Sequence, residues 1–306
     1  MADEYGLLEV DAVEGLGDEW EELDVSDTEA DRIARRQDRE FNQFRKRIKD
    51  ADQFKVEASV FDDATFAALY RLVQHGWVDA IGGAVSTGKE ANVYTALGGD
   101  RSAEALDLDE SALGPDEPEV AMKVYRINAS NFRDMRDYLA GDPRFQDIRG
   151  DKKGVVLAWV KKELANLTRA RKAGVRVPQP LTTERNVLVM EYLGTADGRA
   201  RRLSEVRVEN PETAYGVLRE YTRRLYDAGL VHGDLSEYNV VVHEDELYVL
   251  DLGQAVTIHH PNSRDFLERD CYNVASFFGR QGLEVDPDEM LAFVTREDEE
   301  EGEPDA

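Results

Sequence analysis

The chain has 306 residues, 42% of them hydrophobic, enough for a sizeable core in one two-lobed domain or two small ones. Asp and Glu number 64 against 38 Lys and Arg, a formal net charge of −26 that repels nucleic acid in dilute buffer. At molar salt the screening length falls to roughly 3 Å, so the acidity reads as adaptation to a salty cytoplasm and is silent on substrate. Cys271 stands alone, which excludes a disulfide framework, and the longest apolar run, Val155–Val160, is far short of a membrane span. The acidic start Met1-Ala2-Asp3-Glu4 is unlike a signal peptide, so a cytoplasmic protein with no membrane and no DNA partner is expected.

Residues 1–30 are acidic and weakly patterned and read as a disordered tail. From Asp31 the composition turns basic: Arg32, Arg35, Arg36, Arg39, Arg45, Lys46, Arg47 and Lys49 accompany a helical stripe of Ile33, Gln37, Phe41, Phe44 and Ile48. This predicts a basic amphipathic helix that either touches RNA or packs on the domain through Phe41 and Phe44. A second helix is expected from Asp62, a capping residue, to about Gly76, with Phe66, Leu69, Tyr70 and Val73 on its apolar face. These segments make an N-terminal helical unit over 31–80. Strand-like runs follow at Val78–Val85, Ala91–Leu97 and Val120–Ile127, and the acidic stretch Gly98–Glu119 is expected to be a solvated hairpin insertion. Asn131–Leu139 has helical character, Gly154–Ala173 reads as a helix ended by Gly174, and Val187–Tyr192 as a strand. Tyr215, Leu218, Thr222 and Leu225 mark a helix running to Gly229. Val240–His243 and Leu247–Leu250 make a hairpin around Glu244-Asp245. A further helix follows Asp265, then a short one before an acidic tail at 297–306. Strands crowd the first half and helices the second, which predicts an α+β molecule of two lobes, 81–193 and 194–296.

The chemistry is concentrated at 232–239, His-Gly-Asp-Leu-Ser-Glu-Tyr-Asn, followed twelve residues after Asn239 by Asp251-Leu252-Gly253. A carboxylate at Asp234, an amide at Asn239 and a second carboxylate at Asp251 match a phosphotransfer arrangement: one acid reaches the attacking hydroxyl or water, the amide and the other acid grip a divalent ion. Asp234 and Asp251 are therefore the candidate catalytic residues, and Asn239 and Asp251 the candidate metal ligands. Upstream, Ser86-Thr87-Gly88-Lys89-Glu90-Ala91-Asn92-Val93 lies between two strands and aligns with a kinase glycine-rich loop of which only Gly88 and Val93 remain. A Walker A reading fails because no Ser or Thr follows Lys89. Ala121-Met122-Lys123-Val124 places Lys123 on the nucleotide phosphates, with Glu163 as its counter-ion. Met190, Glu191 and Leu193 fall where a hinge would meet adenine, Val93 and Ala121 where its face would rest. His232 is expected to brace the catalytic loop, Tyr238 to sit in the core, and His259-His260 to be loop residues rather than metal ligands.

The strings STGKEANVY (Ser86–Tyr94), AMKVYR (Ala121–Arg126), HGDLSEYN (His232–Asn239), DLGQAV (Asp251–Val256) and HPNSRDFLERD (His260–Asp270) resemble the RIO family of atypical protein kinases, its type-one branch in particular, over about residues 30–295. The resemblance implies a trimmed protein-kinase-like fold with an extra N-terminal helical segment, ATP with Mg²⁺ or Mn²⁺ as cofactors, serine autokinase and ATPase activity, and a role in maturing the small ribosomal subunit, whose rRNA and proteins would be partners. By motif it makes Asp234 the proton acceptor, Asn239 and Asp251 metal ligands and Lys123 the phosphate lysine. Ser236 stands where ordinary protein kinases keep a lysine, and no A-P-E follows Asp251, which disfavours a docked peptide substrate. Two further hypotheses attach to these departures: Lys89 supplies the charge Ser236 lacks, and Asp251 is itself transiently phosphorylated. Competing readings are a small-molecule phosphotransferase of the aminoglycoside or choline kinase type, and a nucleotide-binding pseudokinase scaffold.

Overall fold

The computed structural model describes residues 61–107, 118–127, 135–136, 138–139, 142, 151–195 and 198–296. The tail expected at 1–30, the basic helix expected from Asp31, most of the helix expected over 131–139 and the tail expected at 297–306 lie outside the described residues. No described helix is long and apolar enough to cross a membrane.

Helix α1 spans Asp63–Gln74, and the Asp62 carboxylate accepts from the Thr65 N–H at 2.7 Å, taking one of the orphan donors of the first turn. Its buried stripe is Thr65, Ala68, Leu69 and Leu72. Phe66 and Val73, expected to lead that face, flank it only partly buried. Five antiparallel strands follow: β1 Val78–Thr87, β2 Ala91–Gly98, β3 Glu119–Tyr125, β4 Pro180–Glu184 and β5 Val187–Glu191, in the spatial order β1-β2-β3-β5-β4. The period of two along β3 decides which side chains do what. Val120, Met122 and Val124 join Tyr94, Ala96, Val187 and Val189 in a core against α1. Ala121, Lys123 and Tyr125 therefore face the other way, toward the cleft.

The insertion after β2 is not wholly solvated, as had been expected. Asp100–Ala105 forms a short helix, α2, whose Ser102 is fully buried and donates to the Trp77 carbonyl at 2.6 Å. Six residues are too few to display a helical period in sequence. The Gly98 N–H donates to the Pro118 carbonyl at 2.6 Å, closing the ends of the insertion.

Helix α3, Lys152–Lys172, is capped by Asp151, whose carboxylate accepts from the Gly154 N–H at 3.0 Å, and so begins two residues before the predicted start. The helical lobe holds α4 (Pro211–Asp227), α5 (Ser263–Arg280) and α6 (Pro287–Thr295) around a large core that takes in Trp159, Leu225, Leu235, Leu252 and Phe278. Trp159 and Tyr125 belong to this same core, so α3 and the cleft face of the sheet are packed into the second lobe. Short strands complete the lobe: β6 Gly194–Thr195 pairs β7 Gly198–Arg199, β8 Arg201–Arg202 pairs β10 Val240–His243, β9 Leu230–Val231 pairs β12 Val256–Thr257, and β10 pairs β11 Glu246–Val249. At the β10–β11 turn Glu244 and Asp245 both take positive φ, 50° and 61°, the backbone of a two-residue hairpin turn.

Candidate functional site

The β10–β11 hairpin explains the twelve-residue spacing between Asn239 and Asp251. Val240 lies opposite Val249, and beyond that pair the Leu250 N–H donates to the Asn239 carbonyl at 2.8 Å. Asn239 and Asp251 thus sit at the open end of one short ladder. His232 bonds the Leu250 carbonyl through Nε2 at 3.0 Å, so it braces the catalytic loop against the strand leading to Asp251, as expected. Within the loop, Asn239 Nδ2 donates to both the Asp234 carbonyl at 2.8 Å and its carboxylate at 3.0 Å. With its nitrogen turned to Asp234, the amide has its oxygen to offer a cation. Tyr238 is a correction: it is 58% exposed rather than core. In this loop Leu235 is the residue that fills the core, and an irregular backbone gives no period from which to read the neighbours.

Three anchors of this loop, Asp270, Asn273 and Arg269, carried no assigned role in the sequence reading. Asp270 of α5 is fully buried, and its carboxylate accepts from the N–H of Gly233 at 2.7 Å and of Leu235 at 2.8 Å. Burial pushes its carboxyl up to about 6 even though His232 and both N–H donors favour the anion. One turn on, Asn273 donates to the Leu235 carbonyl at 3.0 Å, and Arg269 donates to the Gly233 carbonyl.

On the sheet side, Lys123 Nζ lies 2.6 Å from Glu163 Oε1 and 2.9 Å from Asp251 Oδ1, forming the expected pair with Glu163 and a second one with Asp251. The Tyr125 hydroxyl, on the same strand face as Lys123, donates to the other Glu163 oxygen. Two acids here share one base and divide it unequally. Glu163 is 1% exposed, and burial lifts it to about 7 against the pull of Lys123. Half of the Asp251 side chain is open to the cleft. What burial does to raise its carboxyl is outweighed by Lys123, so it stays below the ordinary carboxylate range. Burial likewise acts to lower the Lys123 ammonium, and the two carboxylates overcome it and raise it. Asp251 itself takes φ +60°, a left-handed backbone that a residue with a Cβ adopts at a penalty of about 1–2 kcal/mol.

The segment Ser86–Val93 forms the end of β1, a turn, and the start of β2. Ser86 pairs with Val93 and Thr87 with Asn92, leaving Gly88, Lys89 and Glu90 at the turn, where Lys89 is exposed. A Cβ on Gly88 would stand 3.0 Å from the Ala91 carbonyl, so the turn is closed around that glycine. Buried Asn92 holds it from below: it accepts from Gly88 N–H at 3.3 Å and from Arg126 at 3.2 Å, and donates to the Tyr94 hydroxyl at 3.1 Å. The sheet register sets Val93 beside Lys123 and Ala121 beside Met190, which puts Val93, Ala121 and Met190 on the cleft face. At the end of β5, the Glu191 N–H donates to the Gln179 carbonyl and the Leu193 carbonyl accepts from Ala200, both at 2.8 Å. Neither bond uses the Glu191 carbonyl or the Leu193 N–H, the two groups in the adenine reading.

The donor set suits a hard cation that is completed by other ligands. Asp251 offers carboxylate oxygen and Asn239 amide oxygen, the ligand type Mg²⁺ takes together with phosphate oxygens. Among the described residues no cluster of three or more His, Cys, Asp or Glu forms a self-sufficient metal site. His259 and His260 lie in the turn between β12 and α5, the loop position read for them.

Residues 92–290 match the family model of the RIO domain. The whole chain is 64% identical over 305 residues to the RIO-type serine/threonine-protein kinase Rio1 of Haloferax volcanii, covering all of both chains. It is 40% identical over 177 residues to Rio1 of Thermoplasma acidophilum, covering 58% of this chain and 94% of that one. Against the human serine/threonine-protein kinase RIO1 it is 35% identical over 256 residues, covering 81% of this chain and 42% of the longer human protein. Among solved structures, the Rio2 kinase of Chaetomium thermophilum superposes with a TM-score of 0.54 at 23% identity, over 71% of this chain and 62% of that one. The same enzyme as an ADP/Mg²⁺-phosphoaspartate complex gives 0.53 at 21% identity, over 74% and 65%. These structures establish the trimmed kinase-like fold.

Proposed function

The chain belongs to the RIO family of atypical serine/threonine kinases, and from that premise we propose that it binds ATP with a divalent ion at the Lys123–Asp251–Asn239 cleft and passes the γ-phosphoryl group to a hydroxyl or to water. The observation that carries this reading is the convergence of Lys123 on both Glu163 and Asp251, with Asn239 and Asp234 bonded to each other at the end of the adjoining hairpin. Lys123 is held extended by Glu163 to meet the α- and β-phosphates. Ser86, Thr87, Gly88, Lys89 and Glu90 form the lid over the phosphates. Val93, Met190, Glu191 and Leu193 frame the adenine. Asp234, oriented by the Asn239 amide, accepts the proton of the attacking hydroxyl. Mg²⁺ or Mn²⁺ bound by Asn239 and Asp251 would neutralise phosphate charge.

Asp251 has a second role in this proposal. It is a half-exposed carboxylate kept anionic by Lys123, the state a phosphoryl acceptor needs. The phosphoaspartate named in the Rio2 complex supports the same chemistry here. The family assignment favours autophosphorylation on serine and ATP hydrolysis over transfer to an aminoglycoside or choline, and the small ribosomal subunit precursor as the cytoplasmic partner. The test is phosphate release and self-labelling from γ-labelled ATP. Asp234→Asn should abolish turnover at unchanged nucleotide affinity. Wild-type protein quenched in acid should carry label that hydroxylamine removes and that Asp251→Asn lacks. Equal turnover by Asp234→Asn and wild type would refute the assignment of Asp234.

A further inference from the structure

Helix α3 brings more to the cleft than Glu163. One residue earlier, Lys162 is fully buried, and its ammonium donates to the Gly253 carbonyl at 2.9 Å. The Trp159 and Tyr138 rings lie 4.8 and 5.7 Å from the same ammonium. One turn further, Asn166, also fully buried, donates from Nδ2 to the carbonyls of Leu252 and Ala255, each at 3.0 Å. Three carbonyls of the four-residue stretch after Asp251 are thus bonded to a single helix. Gly253, two residues after Asp251, is held through its carbonyl, which accepts from Lys162. Burying an ammonium opposes folding by several kcal/mol, and an apolar side chain would fill the same space without that penalty. A left-handed backbone at Asp251 persists only where its surroundings over-determine it.

We propose that Lys162 and Asn166 are positioning residues that latch the Leu252–Ala255 backbone to α3, holding the Asp251 carboxylate toward the cleft and making the Lys123–Glu163 pair and Asp251 one rigid body before nucleotide arrives. This rests on the reading of Asp251 as the metal acid. It extends that reading by making α3 a fixed support, since α3 cannot swing away from the cleft without breaking three buried hydrogen bonds. A protein whose site is assembled in advance gives up no affinity to an incompetent population.

The experiment uses the full chain with Lys162→Met, which keeps the stem and removes the donor, and separately Asn166→Leu. Amide hydrogen exchange is followed without nucleotide or metal, and a fluorescent ADP analogue is titrated with and without Mg²⁺. Both variants should speed exchange at residues 252–256 by tenfold or more while amides of α4 and α5 keep their protection. Each should raise the Mg²⁺ midpoint about tenfold and leave metal-free ADP binding within twofold. Unchanged exchange at 252–256 would overturn the proposal. So would equal loss of protection across α4 and α5, or metal-free binding that weakens as much as metal-supported binding. If Lys162→Met does not fold, Asn166→Leu decides on the same readouts. Asp251→Asn separates the two claims: if it leaves the Mg²⁺ midpoint unchanged, the metal assignment fails, and the latch stands or falls on hydrogen exchange.

Discussion

Gly253→Ala probes close packing beside the Asp251 carboxylate. A Cβ built there would lie 2.9 Å from Trp159 Nε1 and 3.4 Å from both Trp159 Cε2 and the Tyr125 hydroxyl. The φ of Gly253 is not positive, so the obstacle is space alone. Trp159 cannot give way easily. It is 2% exposed, has the Lys162 ammonium 4.8 Å from its ring, and meets Tyr138 edge-on at 6.0 Å. Forcing a methyl into a filled core costs about 1–3 kcal/mol, which at roughly 2–4 °C per kcal/mol for a domain of this size lowers Tm by roughly 2–12 °C. The backbone must move as well, and with it the Gly253 carbonyl on Lys162 and the Asp251 backbone two residues before, so Mg²⁺-supported nucleotide affinity should fall about tenfold, or 1.4 kcal/mol. Thermal unfolding and titration of a fluorescent nucleotide measure both. Trp159→Phe removes the clashing nitrogen, so in the double variant part of the loss should return and the two changes should be non-additive. If Gly253→Ala unfolds within 1 °C of wild type, or the two substitutions simply add, the packing argument is wrong.

Asp270 predicts a pH dependence. Its folded pKa, about 6, lies above the ordinary 3.8, so the folded state holds the extra proton between those values. Its contribution to stability is fully present below about pH 4 and is lost as pH rises through about 6. Denaturant unfolding from pH 4 to pH 7 should decline more steeply in wild type than in Asp270→Asn, which keeps only the part that raised Glu163 contributes; parallel curves would rule it out. Lys89→Ala should slow ATP turnover about a hundredfold, since a cation on the transferred group is worth roughly 3 kcal/mol. Its exposed position predicts an unchanged Tm, so turnover at the wild-type rate would remove Lys89 from the mechanism.

What could be read from the sequence follows from where each signal resides. The β10–β11 hairpin was legible because two short β-branched and apolar runs flank an acidic two-residue turn, and the hairpin sets Asn239 near Asp251. Lys123 and Glu163 were legible because charges among Ala121, Met122 and Val124 or on a helix face call for a partner. Strand β4 was missed: it opens on Pro180 and shows no alternation, as its edge position permits. Lys162, Asn166 and Asp270 were silent for a shared reason. Their partners are backbone carbonyls and N–H groups some 35 to 91 residues away, and a main-chain group leaves no mark in the residue it belongs to. Lys162 follows another lysine on a helix of 21 residues that mixes apolar and charged positions, so only the folded chain distinguishes the buried one.

The central claim, that Asn239 and Asp251 jointly hold the ion carried by the nucleotide, meets its most direct test in a crystal grown with a non-hydrolysable ATP analogue and Mn²⁺. Anomalous diffraction should place one manganese in direct ligand contact, close to the roughly 2.0–2.1 Å of Mg²⁺, with Asn239 Oδ1 and an Asp251 carboxylate oxygen, and Lys123 Nζ on the adjoining phosphates. Nucleotide bound in the cleft with the metal away from both residues would contradict it.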